Sequence, residues 1–284
     1  MKTLIAVRCQ ALDDDAYRIA HDLKDSIPGD VQIAYVRDER NVNFDPISEW
    51  GGGVVVPITK DYLTDLGLFW RRENIGWICG DYVYYAVLHL EWDHLWVVEP
   101  DVFLAGDVRK LFGEVSEMDY DFVGTRIWER NDSWVWYDKI HRVWPEATVW
   151  SAFFPLTRVT REVATACYAA RLKISEMLEA DETLFVPNDE AVVGTVVNNF
   201  GFTKLNLMDK YKEEFRYWGF RPSYCYTNFS ASTSPIVVHP AYAEEKFIER
   251  VAADVDRSIA DGLLKRSLKH ATPEQLKQMM SKLS

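Results

Sequence analysis

The chain is poor in cysteine, in positive charge and in long apolar runs, and each shortage excludes something. Its four cysteines, Cys9, Cys79, Cys167 and Cys225, stand far apart with no CxxC pair. That removes a zinc knuckle and fits a reducing compartment. Against 44 Asp and Glu stand only 32 Lys and Arg, a formal charge of −12. Nucleic-acid binders need clustered cations against phosphate, so nucleic acid is not an expected partner. The acid excess suits a protein that recruits a divalent cation before meeting an anionic substrate, and it equally suits a solubility role. No stretch approaches ~20 uninterrupted apolar residues, so no transmembrane segment is expected. The amino-terminal TLIAVR is too short for a signal peptide and lacks a small-residue cleavage site. A cytoplasmic protein is expected, with peripheral contact to the inner face of a membrane left open. The stretch after that segment, RCQALDDDAY, has no glycine with which to cradle phosphate. No internal repeat or low-complexity linker divides the chain.

What is present is an alternation. Residues 3–8 read as a buried strand. Asp13, Asp14 and Asp15 then open an amphipathic helix on Ala16, Ile19, Leu23 and Ile27, stopped by Pro28-Gly29. Strands follow at 31–37 and 54–58, helices at 60–68 and 79–90, and a central strand at 95–98. Beyond it the pattern predicts a short helix at 106–112 and a strand at 119–124. Residues 126–150 read as an elaborated loop region rich in tryptophan. Next come a strand at 151–157, a long helix at 158–177, a helix from Pro187, strands at 203–207 and 235–238, and a helical, charged tail. This order predicts an α/β protein: a three-layer α/β/α sandwich around a Rossmann-like, mostly parallel sheet. In such sheets ligands collect beyond the carboxyl ends of the strands.

Three short stretches carry candidate chemistry. In WVVEPDVFLAG, Glu99 and Asp101 interrupt an apolar segment at the end of the central strand. Side chains two apart in extended chain share a face, and two carboxylates there can hold a hard divalent cation. Pro100 suits the point where a strand leaves its sheet. A solvated acidic turn explains the same letters. In FVPNDEAVVG, Asn188 is a good N-cap and Asp189 and Glu190 fall in the first helical turn, where the dipole favours acid. A reaction at a hydroxyl group would use the same carboxylates as a positioned base. In SPIVVHPAY, His239 closes an apolar strand. An imidazole there is a structural residue or a ligand suited to Mn²⁺.

The stretch GWICGDYVYYAVLHLEWDHLWVVEPDVFLAGDVRKLF resembles the nucleotide-sugar-binding half of glycosyltransferases of the GT-A fold. In that family the sheet ends in a short acidic motif, usually Asp-any-Asp followed by a hydrophobic residue. Glu99-Pro100-Asp101 stands in its place, with Glu for the first Asp. The resemblance implies a catalytic domain over 1–240, nucleotide-sugar-binding in 1–112 and acceptor-binding in 113–240, with a helical extension over 241–284. It implies a metal-dependent transferase that moves a sugar from a UDP- or GDP-sugar to a hydroxyl of a glycan or glycolipid, as in polysaccharide biosynthesis. Mn²⁺ or Mg²⁺ would be held by Glu99, Asp101 and His239. Arg8, Asp81 and Tyr82 would join Glu99 and Asp101 at the nucleotide, although Asp81 reads equally as a helix cap. In an inverting enzyme Glu190 or Asp189 would be the general base, and the sequence leaves inversion or retention open. The tryptophans of 128–150 would offer stacking faces to an acceptor sugar, or serve a core. Two other readings stand beside this one. A nucleotidyltransferase would share the sheet and the acidic ligands, but the glycine-free turn after the first strand counts against it. A non-catalytic carbohydrate-binding protein on a degenerate transferase fold is kept in view by the Glu-for-Asp change and the tryptophans.

Overall fold

The first three elements set the pattern of the whole. Strand β1 (Lys2–Cys9), helix α1 (Asp14–Ser26) and strand β2 (Asp30–Asp38) form a βαβ unit with the strands parallel and in register from Lys2↔Asp30 to Cys9↔Arg37. The Asp13 side chain caps α1 by accepting from the Ala16 N–H at 2.9 Å. Along β1 the side chains alternate: Leu4 and Ala6 join one core, Ile5 and Val7 the other. A strand buried on both faces needs a helical layer on each side, which is why the run is apolar throughout. The computed structural model describes residues 2–42, 44–72, 74–181, 183–258 and 270–283.

The chain continues through β3 (Glu49–Trp50), β4 (Gly53–Ile58), α2 (Lys60–Asp65), α3 (Ile75–Ile78) and α4 (Tyr82–Ala86) to the central strand β5 (His94–Val98). The helix expected over 79–90 is shorter than that spacing suggested. Every residue from Cys79 to Val87 is buried, so this segment is wedged into the core rather than laid along its surface. Then come β6 (Phe103–Ala105), α5 (Arg109–Ser116), β7 (Phe122–Glu129), α6 (Tyr137–Val143) and β8 (Trp150–Thr160). The region expected as loop at 126–150 therefore holds the end of a strand and a helix. Its tryptophans masked the pattern, because Trp134, Trp136 and Trp144 pack half-buried against the core. Helix α7 (Arg161–Ala180) begins three residues later than expected, capped by Thr160, because residues 158–160 still belong to β8.

The remaining elements are α8 (Asp189–Asn199), β9 (Lys204–Asn206), α9 (Leu207–Lys210), β10 (Tyr217–Trp218), β11 (Tyr224–Cys225), β12 (Ile236–His239), β13 (Ala241–Tyr242), α10 (Glu244–Ser258) and α11 (Pro273–Leu283). Residues 259–269 of the expected helical tail lie outside the described residues.

Among the described residues the main sheet has eight strands in the order β3-β4-β2-β1-β5-β8-β7-β9. It is mostly parallel. Only β3, at the edge, and β8 run against their neighbours. The carboxyl ends of β1, β2, β4, β5 and β7 therefore share one edge. A smaller sheet, β10-β12-β6, and a β11-β13 pair close over that edge. The four cysteines are buried and unbridged.

One buried ion pair ties the layers together. Arg171 of α7 donates from Nε and Nη2 to the two oxygens of Asp81, at 2.7 and 2.8 Å, and from Nη1 to the Pro187 carbonyl at 2.8 Å. Tyr85 adds its hydroxyl to Asp81 Oδ2 at 2.6 Å. Both charged residues are fully buried. Removing one partner strands the other in a low dielectric, at a cost of about 3–5 kcal/mol. Asp81→Ala is expected to lower unfolding free energy in urea by about that amount, and a loss near zero would refute the role.

Candidate active site

The strand edge carries a two-lobed cleft. Its adjoining cavities, about 340 Å³ each, share Arg8, Trp77, Glu99, Asp101, Tyr242 and Arg250. One lobe extends over the ends of β1 and β2 to Gln10, Asp13 and Asp38. The other extends toward the start of α8 and the turn before β11, to Glu190 and Phe220. Acids and cations concentrate where the lobes meet.

Glu99 and Asp101 follow β5 directly. The Glu99 N–H donates to the Pro155 carbonyl at 3.0 Å, so the chain is still held by β8 as it leaves the sheet. His239 comes from far along the sequence. Antiparallel pairing of β12 on β6 matches Val238 to Phe103, which sets His239 beside the residues just before β6. The Ala241 N–H then donates to the Asp101 carbonyl at 2.8 Å. Gly106 permits this closure. Its φ is +67°, and a Cβ there would lie 2.2 Å from the Ser234 carbonyl oxygen.

The result is a compact cluster. His239 Nε2 lies 3.4 Å from Asp101 Oδ1 and 3.9 Å from Glu99 Oε2. One donor atom from each of the three residues falls within 4.8 Å of the others. The imidazole is oriented by its second nitrogen, Nδ1, which donates to the Gly219 carbonyl at 2.8 Å. In the neutral ring this leaves the Nε2 lone pair facing the carboxylates. Asp101 Oδ2 accepts from the Tyr242 hydroxyl at 3.1 Å, while its buried Oδ1 has no hydrogen-bond partner. Burial works against charge on Asp101, but His239 and Tyr242 outweigh it and hold the carboxyl below the usual range. Burial pushes Glu99 up, against the pull of Arg8. Burial likewise opposes protonation of His239, and the two carboxylates overcome it and raise it. Two carboxylates, one of them with an orphaned buried oxygen, and an imidazole make a donor set that fits Mn²⁺ or Mg²⁺.

Arg8, at the end of β1, organises the acids around this point. Its Nη1 pairs with Glu99 Oε1 at 2.5 Å and lies 3.6 Å from Asp189 Oδ2, while Nη2 donates to the Gly76 carbonyl at 2.6 Å. Asp189 is buried and holds backbone N–H groups on both oxygens: Gly80 at 3.1 Å and its own neighbour Glu190 at 2.8 Å. A Cβ on Gly80 would sit 2.3 Å from Arg8 Nη1 and 2.4 Å from Asp189 Oδ2, so any side chain there would displace the two groups. Burial pushes the Asp189 carboxyl well above its usual range. Glu190 lines the lobe at the start of α8. Burial raises it to about 7, against the pull of Arg130 and Arg126 and with a push from Glu99.

The structure thus gathers Arg8, Glu99, Asp101, Asp189, Glu190 and His239 around one cleft. It does not bring Asp81 there. That carboxylate, expected at the nucleotide, is the buried partner of Arg171, and Tyr82 is buried beneath the cleft with its hydroxyl donating to the Phe69 carbonyl at 2.8 Å. Both sit on a segment packed into the core: Asp81 lines neither lobe, and Tyr82 reaches only a side cavity of about 30 Å³ that it shares with Arg8, Cys9 and Asp38. Two cations at the cleft went unnoticed in the sequence. Lys246 and Arg250, one turn apart on α10, line the lobe over β1 and β2, stacked over the Tyr242 ring at 5.7 and 5.5 Å. They lie in what reads as an ordinary charged tail helix. Their one local signal is the i,i+4 spacing directly after His239.

No family model matches the sequence, and no curated protein matches it. Solved structures do. The glycosyltransferase GlyE of Streptococcus pneumoniae TIGR4 matches with TM-score 0.40 and 12% identity, over 76% of this chain and 47% of that one. Mouse xyloside xylosyltransferase 1 in its apo form matches with TM-score 0.41 and 10% identity, over 78% of this chain and 94% of that one. The galactosyltransferase LgtC, in complex with donor and acceptor sugar analogs, matches with TM-score 0.38 and 14% identity, over 82% and 79%. This chain spans about half the length of the GlyE chains it matches. These neighbours are glycosyltransferases, similar to this chain in path at low identity, and the chemistry of the cleft is carried by its own side chains.

Calorimetric titration with Mn²⁺ is expected to show a single site. Asp101→Ala should weaken it by at least ~10-fold, since even outer-shell partners of a metal contribute that much. Equal affinity in the variant would place the ion elsewhere.

Proposed function

We propose that this protein is a metal-dependent glycosyltransferase that moves a sugar from a nucleoside-diphosphate donor to a hydroxyl of a glycan or glycolipid acceptor. The observation that carries this reading is the convergence of Glu99, Asp101 and His239 where the two lobes of the cleft meet. A bound Mn²⁺ or Mg²⁺ would supply positive charge against a departing diphosphate.

The chain's own residues divide the remaining work. The lobe over β1 and β2 takes the nucleotide, with Lys246 and Arg250 on the side toward the diphosphate. Such cations are most effective when fixed in place before the charge develops. Arg8 neutralises Glu99 and Asp189, which keeps these two acids beside Asp101 without mutual expulsion. The sugar lies at the junction and the acceptor in the other lobe.

Of the two carboxylates left open by the sequence, Glu190 is assigned as the base that takes the acceptor hydroxyl's proton. Asp189 has both oxygens committed to backbone N–H groups and acts by positioning Glu190. A base poised near the working pH is the efficient choice. The charged groups facing Glu190 are Arg126 and Arg130 from β7 and the turn after it, and Glu99 from the end of β5. Its acid form is inactive as a base, so transfer rises with pH through about 7 and then levels.

A screen of UDP- and GDP-sugars with Mn²⁺ tests the assignment, measuring donor hydrolysis and transfer to simple glycosides. Activity is expected with at least one donor. Glu190→Gln should slow transfer by roughly 10²–10⁴-fold and remove the rise near neutral pH. Turnover that ignores Mn²⁺, or a pH profile unchanged in the variant, would overturn it.

A further inference from the structure

Two arginines share one acidic neighbour, Glu190. Arg126 lies within β7 and Arg130 just follows that strand, and the charges of both reach Glu190, which lines the cleft. Neither forms an ion pair among the described residues. The hydrogen bonds of Arg126 and Arg130 are modest. Arg126 Nη2 donates to the Trp218 carbonyl at 3.2 Å and Arg130 Nε to the Ser151 hydroxyl at 2.7 Å. The buried Nε of Arg126 has no partner at all. Their other neighbours are rings. Arg126 sits over Phe153 at 5.2 Å, and Arg130 lies between Trp128 and Trp134 at 5.2 and 5.1 Å. Phe153 and its neighbour Phe220, 5.7 Å away, line the acceptor-side lobe.

The backbone is bent to hold this arrangement. Arg126 has φ +50°, the one non-glycine residue at positive φ among the described residues. The pairing of β7 with β8 slips in register twice, between Val123 and Thr125 and again between Thr125 and Trp128, and the second slip spans Arg126. Bulges re-aim side chains at the rims of sheets. A left-handed arginine costs about 1 kcal/mol or more and persists only where the surroundings impose it. Burial lowers the proton affinity of both guanidinium groups, and Glu190 is the acid that opposes this in each. One carboxylate thus stands against two cations in a corner walled by aromatic rings.

We infer that Arg126 and Arg130 read an anionic substituent, a carboxylate or a phosphate, on the acceptor sugar. This rests on the transferase reading for the word acceptor. The fork of a guanidinium matches both oxyanions, and the ring walls strengthen the contact by excluding water. Trp128, 43% exposed, lies beside Arg130 and offers ring surface to the sugar.

The test is binding, measured without turnover. Methyl glucoside, methyl glucuronide and methyl glucoside 6-phosphate are titrated into the full chain with Mn²⁺ and UDP present, followed by ligand-observed NMR. At least one anionic glycoside is expected to bind ~10-fold or more tightly than the neutral one, as a charge-assisted contact allows. The preferred arm names the oxyanion. In Arg126→Gln and Arg130→Gln, checked for folding by near-ultraviolet circular dichroism, that ratio should fall toward one, and Arg126→Lys should restore part of it. Equal binding of all three glycosides would overturn the inference. So would arginine variants that weaken neutral and anionic glycosides alike, because the pair would then serve only to keep Glu190 ionised. Failure of the transferase reading is seen separately, as absent donor turnover in the hydrolysis screen.

Discussion

The three-residue strand β6 and the four-residue strand β12 pair antiparallel, and this contact decides what the cleft can do. Glu99 and Asp101 reach their position by local means, as the first residues beyond a central strand. His239 reaches it only because Val238 is matched to Phe103, and because the Ala241 N–H then closes on the Asp101 carbonyl. A slip of one residue would turn His239 to the opposite face of its strand. The close passage at Gly106 and the apolar packing of Val237 and Val238 hold that register.

Electrostatics give the assembled cluster its character. Carboxylates gathered in a half-buried corner repel one another and lose hydration, and both effects favour a proton or a cation. The corner is already partly compensated. Arg8 takes one oxygen of Glu99 and leans toward Asp189, and His239 and Tyr242 favour the charged form of Asp101. The buried Oδ1 of Asp101 remains without a hydrogen bond, and it faces the imidazole. Away from this point the acids have separate work: Asp81 in a structural ion pair, Asp189 in fixing backbone, Glu190 beside two arginines. Similar side chains within a short distance thus differ in role through their surroundings.

Much of the architecture was legible in the sequence because its signals are local. The apolar runs of β1 and β2, the Asp13 cap and the Pro28-Gly29 stop define a βαβ unit without reference to the rest of the chain. The Glu99-Pro100-Asp101 interruption marks a strand end for the same reason. Asp81 misled because a carboxylate near a helix start has a ready surface explanation, while its partner Arg171 lies 90 residues away. The bend at Arg126 was hidden because a bulge depends on pairing with β8, which the letters of β7 do not reveal. Lys246 and Arg250 look like tail charges until β13 pairs with β11 and turns α10 across the cleft. What the sequence concealed is in each case a consequence of contacts between distant segments.

The central claim is that Asp101 and His239 hold one cation which also meets a nucleoside diphosphate. Electron spin-echo spectroscopy on Mn²⁺ added together with UDP reads this directly. The expected result is a ¹⁴N coupling from a bound imidazole that disappears in His239→Gln, together with a ³¹P coupling that depends on UDP. A Mn²⁺ signal with phosphorus but no nitrogen, or with a nitrogen coupling that survives the substitution, would contradict it.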